Sequence, residues 1–308
     1  MAGDNTNRAV PFGPRPDPPS DPEYHTTASF TIALNMLLKH RLHLFEFSDL
    51  PRLPKLLRTY GLEYLMAVAE RYEPFTPGVS HVLRALEAAS TDQVVDLCSG
   101  VGGPWPHLAA EIARQRGKPP RLTLSDKHPN VTVESALAAI PGTGYVRESV
   151  DARHVPPHLV GLRTLFNSFH HFRPDEARQI LQDAVRNGQP IAVFEMLKRS
   201  WSCLALLLFT PLLVMIVTLK MRPFRLSRLL LTFLVPIIPL LMLWDSVVSV
   251  LRCYTPQELL AMAGGLEGKP YVWHAGTYRR RILSVTYLVG YHGPIEGGAA
   301  PVGDRSAK

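Results

Sequence analysis

The chain has 308 residues, 46% of them hydrophobic and 19% charged, with 33 Lys and Arg against 26 Asp and Glu for a net charge of +7. This composition can fill a core and excludes a disordered or collagen-like chain. Three scattered cysteines, Cys98, Cys203 and Cys253, exclude a disulfide framework and a Cys-rich zinc site. The basic excess suggests nucleic acid until it is located. Between Leu197 and Arg252 stand Lys198, Arg199, Lys220, Arg222, Arg225, Arg228 and Arg252 with one acid, Asp245, so this stretch holds six of the seven net charges. Basic residues that bracket an apolar segment predict a lipid surface as partner and no nucleic acid.

Residues 1–22 contain six prolines and read as a disordered tail. Residues 23–90 read as a helical cap. Its apolar positions recur at three- and four-residue spacing in Phe30 to Leu37 and in Leu56 to Met66, with Pro51, Pro54 and Pro77 placed to open helices. An amphipathic helix over about 78–89 precedes the first strand. From Asp92 short apolar runs alternate with helical stretches. The runs are Gln93–Leu97, Arg121–Ser125, Gly144–Glu148, Leu162–Asn167 and Pro190–Phe194, and the helices centre on 104–116, 130–139 and 174–187. The alternation predicts a parallel sheet with helices on both faces. Thr255, Pro256 and Glu258 form a helix start, Gly264-Gly265 ends that helix, and two β-type runs, 270–279 and 282–292, follow as an antiparallel pair. The stretch 293–308 reads as a second disordered tail.

Asp96 to Gly103 reads D-L-C-S-G-V-G-G between a strand and a helix. Glycines there let a ligand approach backbone N–H groups at a helix N-terminus. The phosphate-cradling G-x-G-x-x-G is absent, and Asp96 would repel pyrophosphate but pair with an ammonium group. Asp126 follows the second strand, where an acid can hold a ribose. Asp151, before Ala152, follows the third and can accept from an adenine amine, and Asn167 follows the fourth. Together these predict a bound nucleoside carrying positive charge. No cluster of His, Cys, Asp and Glu has metal-ligand spacing, so no metal is expected.

On Asp96–Gly103, Asp126, Ser149-Val150-Asp151-Ala152 and Asn167–Phe172, with the final strand pair, the chain over about 92–292 resembles the class I S-adenosylmethionine-dependent methyltransferases. The stretch Leu44 to Pro51 and the apolar insert look like a little-characterised bacterial branch of that superfamily. The resemblance implies an α/β, Rossmann-like seven-stranded sheet, formed by 91–196 and 254–292, with an N-terminal helical cap and an apolar helical hairpin inserted after strand five at 197–253. It implies S-adenosylmethionine as cofactor, held by Asp96, Cys98, Ser99, Gly100, Gly102, Asp126, Lys127, Asp151, Ala152 and Asn167. Cys98 departs from the pattern, standing where the family's D-L-G-C-G-T-G has Gly. A small buried residue is expected there rather than a reactive thiol. His170 and His171 are candidates for taking the acceptor's proton. Glu195, at the end of strand five, and Asp245, the lone acid of the insert, complete the catalytic candidates.

The insert contains charge-free runs of 17 and 16 residues, 203–219 and 229–244. Seventeen helical residues reach roughly 25 Å, short of the ~30 Å hydrocarbon core. Strands on both sides belong to one sheet, so any crossings must be even in number. A two-span hairpin would export Lys220, Arg222, Arg225 and Arg228, against the positive-inside tendency. The expectation is a re-entrant or interfacial hairpin with its basic residues at lipid headgroups and the cofactor domain on the cytoplasmic side. A two-span hairpin and a buried helix pair in a soluble protein remain as alternatives. Pro211, Pro236 and Pro239 are expected to kink the helices. The predicted activity is methyl transfer to oxygen or carbon of an apolar or lipid-soluble small molecule at the membrane. A non-catalytic, cofactor-binding scaffold or sensor is the alternative, and a nucleotide-dependent oxidoreductase is disfavoured by the missing G-x-G-x-x-G.

Overall fold

The computed structural model describes residues 38–129 and 140–293, and the helix expected over 130–139, most of the first helical stretch and nearly all of both tails lie outside the described residues. The chain divides into two units, 1–40 and 41–308, and the second contains every element discussed below. In chain order the strands are β1 (Gln93–Asp96), β2 (Arg121–Leu124), β3 (Thr143–Tyr145), β4 (Leu162–Phe166), β5 (Ile191–Glu195), β6 (Tyr271–Arg280) and β7 (Leu283–His292). They form one seven-stranded sheet in the order β3-β2-β1-β4-β5-β7-β6. Strands β1 to β5 pair in parallel, while β7 runs antiparallel to both β5 and β6. Every residue of β5 is buried, as a central strand covered on both faces requires.

The helices are α1 (Lys55–Tyr72), α2 (Val79–Ala88), α3 (Trp105–Arg116), α4 (Pro174–Arg186), α5 (Trp201–Leu207), α6 (Thr210–Lys220), α7 (Leu226–Leu229), α8 (Ile237–Arg252) and α9 (Pro256–Ala263). α2 and α3 pack one face of the sheet through Val82, Leu86, Trp105 and Ile112. α4 and α9 pack the other through Ile180, Leu181 and Leu259. Arg163 on β4, almost fully buried, places Nη1 2.6 Å from Asp183 of α4 and fastens sheet to helix. The start of α9 matches its sequence signature: the Glu258 amide donates to Thr255 Oγ1 and the Thr255 amide to Glu258 Oε2. Glu176 likewise accepts from the Arg173 amide ahead of α4.

The insert departs from a simple hairpin. α5 and α6 meet at 49°, and the segment Leu226–Leu234, α7 continued by a π-helical turn, meets α8 at 72°. Among the described residues no single helix is long and apolar enough to cross a membrane, though the two bent pairs together are. Pro236 stands at the second break, as expected. Pro211 lies in the first turn of α6, and Pro239 lies in the first turn of α8 without bending it. A missing N–H has no helical partner to lose there. One face of the insert packs on α1, where Tyr60, Tyr64 and Val68 meet Val214, Ile238, Leu241 and Met242. The opposite face leaves Leu208 69% and Leu234 74% exposed, with Phe209, Leu212 and Phe224 beside them.

The charge of the insert is distributed differently from the sequence expectation. Arg199, Arg228 and Arg252 are buried, and their acids come from outside the insert. Arg199 pairs with Glu258 at 2.6 Å, Arg228 with Glu63 at 2.8 Å and Arg252 with Asp49 at 2.7 Å. Arg225 shares Glu63 at 3.0 Å. Of the four cations between the apolar runs, Lys220 and Arg222 are fully at the surface. A buried guanidinium requires partners, and internal pairing therefore takes the charges expected at headgroups. Arg228 also donates to the carbonyls of Met221 and Pro223, closing the turn after α6 onto α1. Arg228→Ala is expected to lower stability by about 2–3 kcal/mol in urea denaturation, because it removes one partner of a buried pair. Arg228→Lys should fall between, keeping the charge and losing the forked contact.

Candidate functional site

The C-terminal ends of the parallel strands make one rim, the ligand-binding edge of open α/β sheets. After β1 the chain turns tightly. Cys98, Gly100, Gly102 and Gly103 have φ of 56°, 55°, 97° and 51°. A Cβ built at Gly100 or Gly103 meets nothing within 4 Å, so the turn faces open space. Cys98 occupies a left-handed backbone position that favours glycine. Its half-buried thiol lies among Asp96, Asp126 and Asp151, and burial first, then these three charges, push its pKa up. It is therefore a protonated small side chain, as expected.

Asp96 is buried, aligned with Thr164 of β4, and accepts from Thr164 Oγ1 at 2.6 Å. Burial pushes its pKa up to about 7, against the hydrogen bonds that favour the ionised form. Asp126 lies two residues past β2, with Oδ2 accepting from the Gly100 amide at 2.9 Å and Oδ1 from the His128 amide at 2.8 Å. Asn167, just past β4 with φ 49°, accepts from the Met196 amide at 2.7 Å and joins the exits of β4 and β5.

Four cofactor candidates, Ser99, Lys127, Asp151 and Ala152, are engaged within the protein. Ser99 is buried with its hydroxyl donated to the carbonyls of Asp96 and Ser125, so it stitches β1 to β2 beneath the rim. β3 stops at Tyr145, which leaves Asp151 in the loop beyond the strand. There Asp151 accepts from the Arg153 amide, Nε and Nη2 and from Lys127 Nζ at 3.2 Å, and these bonds hold its carboxyl well below the usual range. Lys127 thus spends its charge on Asp151, and Ala152 is buried beside Val150 and Val155.

A second polar centre adjoins this rim. Phe169–His171 forms a single 3-10 turn, fixed by Glu195 at the end of β5. Glu195 Oε1 accepts from the amides of Phe169 and His170, and Oε2 lies 2.6 Å from His170 Nδ1. His171 Nδ1 lies 2.8 Å from Asp49 Oδ1. With the proton on Nδ1, each ring donates to its carboxylate and its Nε2 keeps a lone pair. Both lone pairs face Glu46, with His170 Nε2 3.7 Å from Oε1 and His171 Nε2 3.9 Å from Oε2. The two rings lie 4.3 Å apart. His170 is buried and the His171 side chain is one-third exposed, which leaves the centre open on one side.

Glu46 is buried, and burial pushes its pKa up despite His171 and Arg252. Arg252 Nη1 stands 3.2 Å from Glu46, and Arg252 also donates to the carbonyl of Leu44. Asp49, though burial raises it, is held well below the usual carboxylate range by His171 and Arg252. Arg41 donates to the carbonyls of His170 and Phe172 and stacks on Tyr254.

Asp245 does not reach the histidines. Its two oxygens accept from the amides of Phe47 and Ser48 at 2.7 and 3.0 Å, on the turn that follows Glu46. Glu195 positions and orients His170 rather than standing free. Glu46, Asp49 and Arg252 are the members that motif reasoning passed over. One signal was available: Asp245, Ser249 and Arg252 recur at four- and three-residue spacing, a polar stripe on an apolar helix.

Folding makes Asp96 hold a proton between the ordinary carboxylate value and about 7, so stability falls as pH rises through that window. Asp96→Asn is expected to stabilise the ligand-free protein by about 1–3 kcal/mol at pH 8, with the gain shrinking toward pH 4. Urea denaturation at several pH values checks this.

No family model matches the chain, and no curated protein matches it. Among solved structures it is similar to human N-acetylserotonin methyltransferase in complex with SAM, at 14% identity over 89% of this chain and 68% of that one, with a TM-score of 0.45. It is also similar to LepI in complex with SAM, at 13% identity over 87% and 55%, TM-score 0.41, and to PigF with SAH, at 16% identity over 71% and 54%, TM-score 0.39. The chain spans about half the length of several of the solved structures it is similar to. The strand order and the antiparallel seventh strand agree with the α/β, Rossmann-like seven-stranded sheet expected from the sequence resemblance.

Proposed function

We propose that the protein is an S-adenosylmethionine-dependent methyltransferase acting on an oxygen or carbon of an apolar small molecule at a lipid surface. The observation that carries this reading is continuity. The segment Asn167–His171 leaves the rim at β4 and delivers two histidines, each oriented by a carboxylate, within six residues of the strand. The rim residues fit the cofactor in three respects: a buried acid below the turn, a turn open to approach, and a buried Ser168 hydroxyl with no partner among the described residues. Asp96 and the 98–103 turn would hold its amino-acid part and Asp126 its ribose. Bound there, the cofactor supplies an activated methyl group on a sulfonium.

The protein's share is then positioning and proton removal. An acceptor hydroxyl gives its proton to an Nε2 lone pair as its oxygen gains the methyl group. Glu195 and Asp49 stabilise the imidazolium that results, as a carboxylate behind a histidine does. His170→Ala with His171→Ala is expected to lower release of S-adenosylhomocysteine at least a hundredfold while calorimetric binding of S-adenosylmethionine is retained. The ion-paired Asp151 and the Cys98 side chain favour a second reading, a cofactor-binding sensor without turnover. Binding with no product from any acceptor, in wild type and variant alike, would establish that one.

The lipid surface is supported by the exposure of apolar residues of the insert, Leu208, Phe209, Leu212 and Phe224, together with exposed Lys220 and Arg222 on the same insert. An apolar face with basic residues at its border suits an interface binder. Flotation with anionic phosphatidylserine vesicles is expected to carry the wild type. Phe209→Ser with Phe224→Ser should leave most of the protein unbound, and neutral vesicles should bind less than anionic ones.

A further inference from the structure

We infer that Glu46, His170 and His171 form a binding site for a divalent transition-metal ion of the zinc type. Their three ligand atoms lie within 4.8 Å of one another, although Glu46 is more than a hundred positions away in the chain. Ligands at about 2.0–2.1 Å from a tetrahedral ion stand roughly 3.4 Å apart. His170 Nε2 stands 3.7 Å from Oε1 of Glu46 and His171 Nε2 3.9 Å from its Oε2, and a set with one atom from each residue spans at most 4.8 Å, so an ion would draw the ligands together by up to about 1.4 Å. Two imidazoles and a carboxylate suit zinc and its neighbours rather than magnesium or calcium.

The surroundings are what such a site requires. Metal-bound histidines give their other N–H to a carboxylate or carbonyl, which fixes the tautomer. Both histidines do so here, His170 to Glu195 at 2.6 Å and His171 to Asp49 at 2.8 Å. Glu46 is steadied by Ser249 Oγ at 3.1 Å and Ser48 Oγ at 3.3 Å. Arg252 faces Glu46 at 3.2 Å and Asp49 at 2.7 Å, while Glu195 lies against His170, so the ligands sit among three acids. The other grouping, His170, Glu195 and Cys253, is weaker, because the buried Cys253 thiol is pushed well above its usual pKa and His170 Nδ1 is already taken.

Three protein ligands leave one position open, on the side where His171 meets solvent. On the methyl-transfer reading, that position would take the acceptor's hydroxyl oxygen. The ion would then lower its pKa so that its proton leaves to solvent, in place of removal by a histidine. The site itself does not depend on that reading.

The test is a titration of the full chain, treated with chelator, with Co2+ followed by its visible absorption, and with Zn2+ by competition. One equivalent per chain is expected, with tetrahedral-type cobalt absorption. Affinity should fall at least a hundredfold in Glu46→Gln and His171→Ala. It should fall about ten- to a hundredfold in Asp49→Asn, which removes no ligand and acts only through the His171 ring. Circular dichroism identifies any variant that has not folded. Absence of stoichiometric binding, or binding unchanged in Glu46→Gln and Asp49→Asn, would overturn the site. Metal binding without methyl transfer would remove the proposed activity and leave the site standing, and turnover by a chain that binds no metal in the titration would do the reverse.

Discussion

Arg252 is the constraint on which the rest of the site depends. Its guanidinium is 2% exposed and carries one full charge into the junction of three chain segments. A buried cation must find acids and carbonyls, and removing either side is costly. Here it finds Glu46, Asp49 and the carbonyl of Leu44, all on the extended stretch 41–50. That stretch is thereby drawn onto α8, and the 3-10 turn Phe47–Asp49 is capped by Asp245 from the same helix. The acids arrive beside the histidines only because the last turns of α8 hold them there.

The insert is then less an appendage than one wall of the polar centre. Its inner stripe, Asp245, Ser249 and Arg252, faces Glu46, and its apolar inner face packs on α1. Its outer face is left exposed and greasy. The net charge of +7 that first suggested a basic surface is partly internal at this point, since three of the seven insert cations are buried against acids of α1, α9 and the 41–50 stretch. An interface reading therefore rests on exposed apolar area and two surface cations, rather than on a basic belt.

Local features were legible in the sequence. The strand runs, the capping signature at Thr255 and Glu258, the acidic start of α4 and the glycine turn all depend on near neighbours, and the structure places them within a few residues of expectation. The parallel pairing of β1 to β5 follows from the alternation, and the antiparallel pairing of β6 with β7 from the final strand pair. What sequence reasoning missed depends on distance along the chain. His171 meets Asp49 across 122 positions, and Asp245 meets Phe47 across 198. No spacing rule connects such residues. Asp151 was misplaced for another reason: β3 is only three residues long, so the acid falls in a loop where Arg153 and Lys127 reach it first.

The central claim is that rim and histidine centre serve one reaction, and a crystal structure of the full chain with S-adenosylhomocysteine tests it most directly. The account predicts the ligand over the 98–103 turn, its amino group toward Asp96 and its sulfur toward the space bounded by His170, His171 and Glu46. A ligand bound elsewhere, or one whose sulfur turns away from those three residues, would contradict it.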